Sequence, residues 1–260
     1  MINILKEIVD NKKKELEFLK NKIPIQKLEK SIYFERKTYS MQKSLLNKSG
    51  IISEFKRKSP SNPNINLNAN LLQVTNGYQK ANSSGVSILT DKQFFGGEIN
   101  DLLECRTNLS VPILRKDFII NEYQIIESKS IGSDAVLLIA SCLTKKEIVS
   151  LSRLSKSLDL EVLIEVHSEY ELNKSLNQFV DIVGVNNRNL KLFKTDINTS
   201  INLSDLIPKE FCKISESGIS SIDQVKILKN CGYNGFLIGE NFMKSNNPSK
   251  KCLKFINSLK

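Results

Sequence analysis

Beyond residue 50 the chain alternates between two kinds of segment. Short apolar runs rich in β-branched residues recur at Ile51–Lys56, Gly85–Asp91, Val111–Phe118, Asp134–Ala140, Leu160–Val166, Ile182–Arg188, Phe211–Ser217 and Gly235–Asn241. Between most of them lie polar stretches with helical spacing, such as Glu122–Ile131, Lys145–Leu158 and Ile222–Cys231. Strands alternating with helices imply parallel βαβ units. The runs are continuously apolar, which suits a sheet covered on both faces. Eight such units at near-regular intervals predict an α/β protein, a (β/α)8 TIM barrel, with an open doubly wound sheet as the alternative. No glycine-rich G-x-G-x-x-G turn follows the first strand, which weakens the dinucleotide-binding form of that alternative.

Residues 1–46 read as an N-terminal helical extension. Ile4, Ile8, Leu16 and Leu19 fall on or near one face, Pro24 breaks the pattern, and a less regular segment leads on to Leu45-Leu46. Neither an interdomain linker nor a low-complexity block interrupts the rest. The expectation is one domain over residues 1–260, within the length range of α/β barrels.

Composition narrows the compartment and the partners. No apolar run approaches the ~20 residues of a membrane span, and the first ten residues lack a secretory h-region and cleavage site. Five cysteines, Cys105, Cys142, Cys212, Cys231 and Cys252, are scattered without Cys-x-x-Cys spacing. That usage fits reduced thiols, so a cytoplasmic protein is expected, without membrane contact. The net charge of +10 comes from lysines spread along the chain, often beside glutamate, as in Lys12-Lys13-Lys14-Glu15 and Lys145-Lys146-Glu147. Solvated helix faces are the first reading, an anionic small-molecule substrate the second, and nucleic acid the third.

The chemistry collects where the strands end. In Glu54-Phe55-Lys56-Arg57-Lys58-Ser59-Pro60-Ser61, Glu54 and Lys56 are two apart and share a strand face. Ser-Pro-Ser then ends the strand. Other runs end in Thr90-Asp91, Arg115-Lys116-Asp117, Glu165, Asn186-Asn187-Arg188, Ser215-Glu216-Ser217-Gly218 and Gly239-Glu240-Asn241. In a barrel these ends converge on one face, where active sites lie. Lys56 and Lys116 are the candidate acids. A lysine crowded by another cation and partly desolvated has a lowered pKa. A structural ion pair with Glu54, Glu165 or Glu216 is the bland reading for either one. Those three glutamates are the candidate acceptors, expected ionised beside two lysines and Arg188, with an orienting role for Glu216 as plausible as a chemical one. Arg188 shares a strand face with Asn186 and offers a fork matched to a carboxylate; pairing with a helix acid is its alternative. Ser217-Gly218 and Gly239-Glu240 end the last two strands, whose loops commonly hold a phosphate in barrels. The lone histidine, His167, has no second ligand nearby, so no metal site is expected and His167 receives no chemical role.

Taken in order, these segments resemble the indole-3-glycerol-phosphate synthase family. The resemblance runs through Ile4–Lys20, Ile51–Ser61, Ser87–Asp91 with Phe94-Phe95-Gly96-Gly97, Val111–Phe118, Leu163–His167, Gly184–Leu190, Ile214–Ile219 and Ile238–Glu240. It implies a monofunctional, cofactor-free and metal-free carbon–carbon lyase of tryptophan biosynthesis, monomeric or a weak homodimer. Its reaction converts carboxyphenylamino-deoxyribulose phosphate to indoleglycerol phosphate, carbon dioxide and water. By the same resemblance Lys116 protonates the ketone oxygen during ring closure, and Lys56 and Glu165 serve the dehydration with Glu54 assisting. Ser59, Asn186 and Arg188 hold the carboxylate side, while Lys56, Ser217, Gly218, Gly239 and the following loop with Glu240 hold the phosphate. Phe95, Phe118 and an apolar residue such as Leu137 line the aromatic pocket, and the N-terminal helix covers the catalytic face.

Two positions depart from the family pattern. Asn62-Pro63-Asn64 stands where a Lys-Gly pair is usual, which predicts a stiffer loop, and Ser53 replaces the commoner alanine on the opposite strand face. Two other functions remain open at this point. One is a different phosphate-binding barrel enzyme, such as a sugar-phosphate isomerase or aldolase. The other is a non-catalytic basic barrel that binds RNA.

Overall fold

The computed structural model describes residues 4–189 and 194–259. Ile2 and Asn3 of the expected extension, and Leu190 of the family resemblance, lie outside the described residues. Eight strands, β1 (Ile51–Phe55), β2 (Gly85–Leu89), β3 (Ile113–Lys116), β4 (Ala135–Ile139), β5 (Glu161–Val166), β6 (Ile182–Asn186), β7 (Cys212–Glu216) and β8 (Gly235–Ile238), pair in chain order. Every pairing is parallel and β8 closes on β1, giving the expected (β/α)8 barrel. Every strand but β5, which ends with its run at Val166, stops one to three residues short of the end of its run, where the chain turns into a loop.

Three helices precede the barrel: α1 (Ile4–Lys22), α2 (Ile25–Leu28) and α3 (Met41–Asn47). The rest surround it: α4 (Leu71–Lys80), α5 (Lys92–Phe95), α6 (Ile99–Asn108), α7 (Glu122–Ser130), α8 (Lys145–Ser157), α9 (Glu169–Ser175), α10 (Asn198–Leu203), α11 (Ile222–Asn230), α12 (Glu240–Met243) and α13 (Pro248–Asn257). Local chemistry starts them: Asn121, Thr144, Ser168 and Ser221 each accept a backbone N–H of the first turn of α7, α8, α9 and α11, satisfying donors that a helix leaves free.

Two apolar layers follow from the strand period of two. Residues such as Val86, Ile88, Val136, Leu138, Val183 and Val185 pack outward against the helices. Ile52, Leu114, Leu137, Leu163, Ile182, Ile214 and Leu237 fill the barrel interior with Met41 and Leu45 of α3. Helix α3 therefore plugs the N-terminal end of the barrel. Its docking needs glycine at two strand starts: a Cβ on Gly85 would stand 2.4 Å from the Met41 sulfur, and one on Gly235 2.5 Å from a Leu45 methyl.

The extension departs from a continuous helical reading. Residues 29–40 form turns and extended chain that run down the outside of the barrel. Arg36 pins them through Asp134 at 2.7 Å, and Thr38 donates to the Asp159 carbonyl. Only α1 reaches the opposite face. Ser53 is buried, its hydroxyl 2.7 Å from that of Ser83 and 3.3 Å from the Cys252 sulfur, so it points into the helix layer.

Candidate active site

The same alternation that fills the barrel floor with Ile52, Leu114 and Leu163 brings Glu54, Lys116 and Glu165 inward two residues later on β1, β3 and β5. Asn186 of β6 and Glu216 of β7 follow Gly184 and Ile214 in the same way. Together with the loops that follow the strands, most of them line a cavity of about 430 Å³ at the C-terminal end of the barrel, a size suited to a small ligand. Its walls hold Glu54, Lys56, Ser59, Phe95, Lys116, Phe118, Leu137, Glu165, Asn186, Arg188, Ser217, Gly218, Gly239 and Glu240. Of the residues given a catalytic or substrate-binding role from the sequence, Glu216 alone stands behind the wall rather than in it.

Two ion-paired clusters face each other across this cavity. On β1, Lys56 donates to Glu54 at 2.6 Å. Burial opposes ionisation of Glu54, but Lys56 and then Lys116 outweigh it and hold its pKa below the ordinary value. A Cβ at position 239 would stand 2.5 Å from a Glu54 carboxylate oxygen, so Gly239 gives the carboxylate its room. On the other side Lys116 donates to Glu216, and its Nζ lies 3.6 Å from Glu165.

The electrostatics of Lys116 differ from expectation. Burial acts to lower its pKa, yet the charges of Glu216, Glu165 and Glu54 win and raise it. Lys116 faces three carboxylates rather than a second cation, so it stays charged. Glu216 also differs. Burial pushes it up to about 7 although Lys116 pulls the other way, and Glu165 adds repulsion. Its Oε1 is buried with no hydrogen-bond partner among the described residues and faces Gly184, where a Cβ would come within 2.3 Å. Arg188 does not join these carboxylates. It donates to Ser61 at 3.0 Å and pairs with Glu240 at 3.4 Å, the first residue of α12, at the rim.

Phe95 and Phe118 place their ring centroids 5.9 Å apart on one wall, next to Leu89, Leu137 and Ile139. On the other wall Ser217 and Gly218 both take left-handed backbone, φ 66° and 74°. Ser217 is a rare residue in that region, and the Asn187 amide steadies the turn through the Ser217 carbonyl at 3.0 Å. Successive residues of this kind turn their backbone N–H groups toward one spot, a concavity suited to an anion. The loop after β1 folds back on itself: Ser59 and Asn62 exchange backbone hydrogen bonds of 2.8 and 3.0 Å around Pro60-Ser61. Arg57 anchors its base bidentately on Asp101, at 2.5 and 2.9 Å.

These geometries place acids, bases, an aromatic slot and an anion cradle around one cavity. A model of the family described as indole-3-glycerol phosphate synthase matches residues 5–255. The chain belongs to this family. A relative of that name from Bacteroides thetaiotaomicron is 43% identical, with 100% of both chains covered. Another, from Thermoanaerobacter pseudethanolicus, is 42% identical, covering 99% of this chain and 98% of its own length. Among solved structures, 3-hexulose-6-phosphate synthase from Salmonella typhimurium superposes with a TM-score of 0.64 at 12% identity, covering 81% of this chain and 98% of its own. Tryptophan synthase subunit alpha from Legionella pneumophila gives 0.59 at 13% identity, covering 84% and 96%. At such identities these two support the barrel fold alone.

Within this synthase-family barrel, several contributors escape a reading of strand ends. Ile4, Leu5 and Ile8 of α1 form part of the cavity wall, and Lys244 closes it near Glu240. Lys12 is the largest omission. Read as part of a solvated lysine run, it is buried, with Nζ 3.0 Å from Asp91, 3.1 Å from Asp117 and 2.7 Å from Glu15. Asp91 and Asp117 thus hold α1, and Asp117 also forms part of the cavity wall. Arg115 lies beneath them, bonded to Asp117 and Glu127. The signal was present: Lys12 completes the i, i+4, i+8 stripe Ile8-Lys12-Leu16, where a lysine needs a buried anion. Among the described residues, no group of three or more His, Cys, Asp or Glu side chains could hold a metal ion.

The prolyl residue Pro63 in the loop after β1 gives a measurable consequence. Pro63→Gly is expected to release backbone entropy worth about 0.4–1 kcal/mol, a two- to five-fold rise in opening of residues 56–66. Amide exchange over that segment should rise by this factor while the rate of the first turnover stays unchanged. Unaltered exchange would mean that the paired Ser59-Asn62 turn, not Pro63, sets the loop's stiffness.

Proposed function

We propose that this cavity closes an indole ring, with loss of carbon dioxide and water, from 1-(2-carboxyphenylamino)-1-deoxyribulose 5-phosphate, and that the chain acts as one domain in the cytoplasm. The family acts on a phosphorylated small molecule, as a carboxy-lyase of tryptophan biosynthesis. The observation that carries the site assignment is the placing of Lys116, with Glu165 beside it, opposite the Lys56–Glu54 pair across one cavity.

In the first stage the anthranilate ring carbon attacks the ketone and forms the new carbon–carbon bond. Lys116 gives its proton to the oxygen that takes up the carbonyl electrons, and Glu216 behind it keeps the ammonium aimed at the cavity. The bond between the ring carbon and the ionised carboxylate then breaks, carbon dioxide leaves, and the electrons of the broken bond restore the aromatic ring. In the second stage Lys56 protonates the departing hydroxyl, which leaves as water, and Glu165 takes the proton whose C–H electrons become the double bond of the five-membered ring. Glu54 orients Lys56.

Substrate is gripped at its two ends. Ser59, Asn186 and Arg188 take the carboxylate side, where a guanidinium fork matches the anion; Glu240 steadies Arg188 rather than facing the substrate. Ser217, Gly218 and Gly239, with Lys56, take the phosphate. Phe95, Phe118 and Leu137 sandwich the ring, and Ile4, Leu5 and Ile8 exclude water. The chemistry so described uses no cofactor or metal. All five cysteines are free, which fits a reducing compartment, and among the described residues no helix is long and apolar enough to cross a membrane. A monomer or weak homodimer is the proposed assembly, with nucleic acid not a partner.

The test is direct. The purified chain, given that substrate, should produce indole fluorescence and carbon dioxide in equal amounts. A sugar-phosphate isomerase or aldolase, or an RNA-binding barrel, would produce neither.

A further inference from the structure

His167 has no part in the scheme above, yet its surroundings are those of a group that handles protons. It follows Glu165 and Val166 at the end of β5, and its side chain is 16% exposed, between a buried Glu165 and the solvent. Its Nδ1 lies 3.1 Å from Glu171 Oε2 on α9, and the same oxygen accepts the His167 backbone N–H at 2.8 Å. A carboxylate only accepts, so Nδ1 carries the hydrogen and the neutral ring keeps its lone pair on Nε2.

That Nε2 is buried with no hydrogen-bond partner among the described residues, and Glu165 Oε1 is 3.6 Å away. A lone pair facing an ionised carboxylate is repulsive, and an orphaned buried nitrogen calls for an explanation. One proton placed between the two atoms satisfies both. The cavity's base and an imidazole are thus built to share a proton that arrives from elsewhere.

We infer that His167, held by Glu171, is the positioning residue that restores Glu165 after each turnover by taking up its proton and passing it to solvent. The inference rests on the reading of Glu165 as the base of the dehydration. In that step a substrate bond to hydrogen breaks, its electrons enter the ring double bond, and the proton forms an O–H bond on Glu165. That O–H bond then breaks as an N–H bond forms at Nε2, and the imidazolium gives a proton to water beside Glu171. Nothing is oxidised or reduced.

The electrostatic setting favours this cycle. Burial opposes charging of the ring, but the Glu171 hydrogen bond and the charges of Glu165, Glu171 and Glu216 raise its pKa above 6.5. These carboxylates come from β5, α9 and β7. Cys142, beside Glu165, is pushed up to about 12 by burial and stays neutral. Lys174 on α9 lies near Glu171 and donates to the Leu143 carbonyl at 2.9 Å.

The experiment compares the first turnover with later ones in His167→Asn. The first begins before Glu165 has taken any proton from substrate and should keep the wild-type rate. Later turnovers should slow about ten-fold or more, giving a burst of one product per site, and added imidazole should speed them. Glu171→Gln is the second variant, since it leaves the ring in place. Its uncharged amide lowers the imidazole pKa, so the acid limb of the steady-state rate should move to lower pH while the first turnover is unchanged. A relay needs the neutral ring, so activity falls as pH drops through that pKa. Absence of a burst in His167→Asn would overturn the inference, as would equal slowing of both phases without response to imidazole. Glu165→Gln separates the two readings: if it keeps its first turnover, the base assignment is wrong, whereas a dead Glu165→Gln beside a burst-free His167→Asn removes the relay alone.

Discussion

Lys116→Ala is expected to lower kcat/KM for ring closure by about 10³-fold, within the range that a positioned general acid contributes. The loss should appear in the first turnover, because Lys116 acts before carbon dioxide leaves. Its raised pKa is compatible with this role. An oxygen taking up the carbonyl electrons becomes more basic than any amine, so the transfer runs downhill even from a strongly held proton. What the three carboxylates secure is that the proton is present whenever substrate binds. The fold should survive the substitution, because Glu216, already pushed up to about 7, can take a proton once its partner is gone. The sign follows from linkage. A carboxyl raised in the folded state stabilises it fully below the ordinary 4.5 and loses that contribution as pH rises through the folded value, here about 7. The variant's melting temperature should therefore fall between roughly pH 5 and 8 more steeply than the wild type's, read by calorimetry across that range. Wild-type turnover rates in Lys116→Ala would sink the assignment.

The barrel was legible because its strands are buried on both faces. That constraint writes continuous runs such as Ala135–Ile139 into the chain, and eight of them leave few other architectures. The cavity residues were legible as a set for a related reason: charge at the end of an apolar run has nowhere to go but the barrel mouth. Facing was harder to read. Of Arg115-Lys116-Asp117, the last two reach the cavity wall and Arg115 does not, since β3 ends at Lys116 and the period of two, fixed by the register with β2 and β4, turns Arg115 outward. The direction of the Lys116 shift was hidden as well, because it depends on three carboxylates arriving from β1, β5 and β7. Sequence distance places Lys56 and Lys116 in one site but does not say which carboxylates stand between them. The extension misled over residues 29–40, where contacts with the ends of β4 and β5 override helical spacing, a tertiary effect that local pattern does not carry.

Lys12→Met is expected to undock α1 while leaving the barrel folded. The side chain is nearly isosteric, but its removal leaves Asp91 and Asp117 buried beneath α1 without their ammonium, and breaking one partner of a buried pair costs about 3–5 kcal/mol. Asp117 keeps Arg115 and the Thr90 hydroxyl at 2.6 Å, so the strain falls on the helix above it rather than on β3. Helix α1 is otherwise held at its C-terminal half by a small cluster in which Leu16 and Leu19 meet Leu28 and Tyr123, whose hydroxyl donates to the Leu19 carbonyl at 3.4 Å, and an element so lightly held is the kind that opens locally. Amide exchange over residues 4–22 should rise by orders of magnitude. Because Ile4, Leu5 and Ile8 form part of the cavity wall, KM should rise about ten-fold, the equivalent of roughly 1.4 kcal/mol of lost binding. The double variant Lys12→Met/Asp117→Asn should cost less than the sum of its parts, because the charges it removes had each other as partners. The pH dependence distinguishes this latch from the cavity. Asp117 is held below the ordinary carboxylate range despite its burial, by Lys12 and Arg115, so its contribution stands above about pH 4 and is lost only on acidification below that. Lys12 is raised by Asp117 and Asp91 against its own burial, and its contribution persists until pH climbs through that raised value. Docking of α1 should thus be flat from about pH 5 to 9, while the cavity titrates near neutrality through Glu216. Unchanged exchange in α1 together with an unchanged KM in Lys12→Met would show that the apolar contacts alone hold the helix in place.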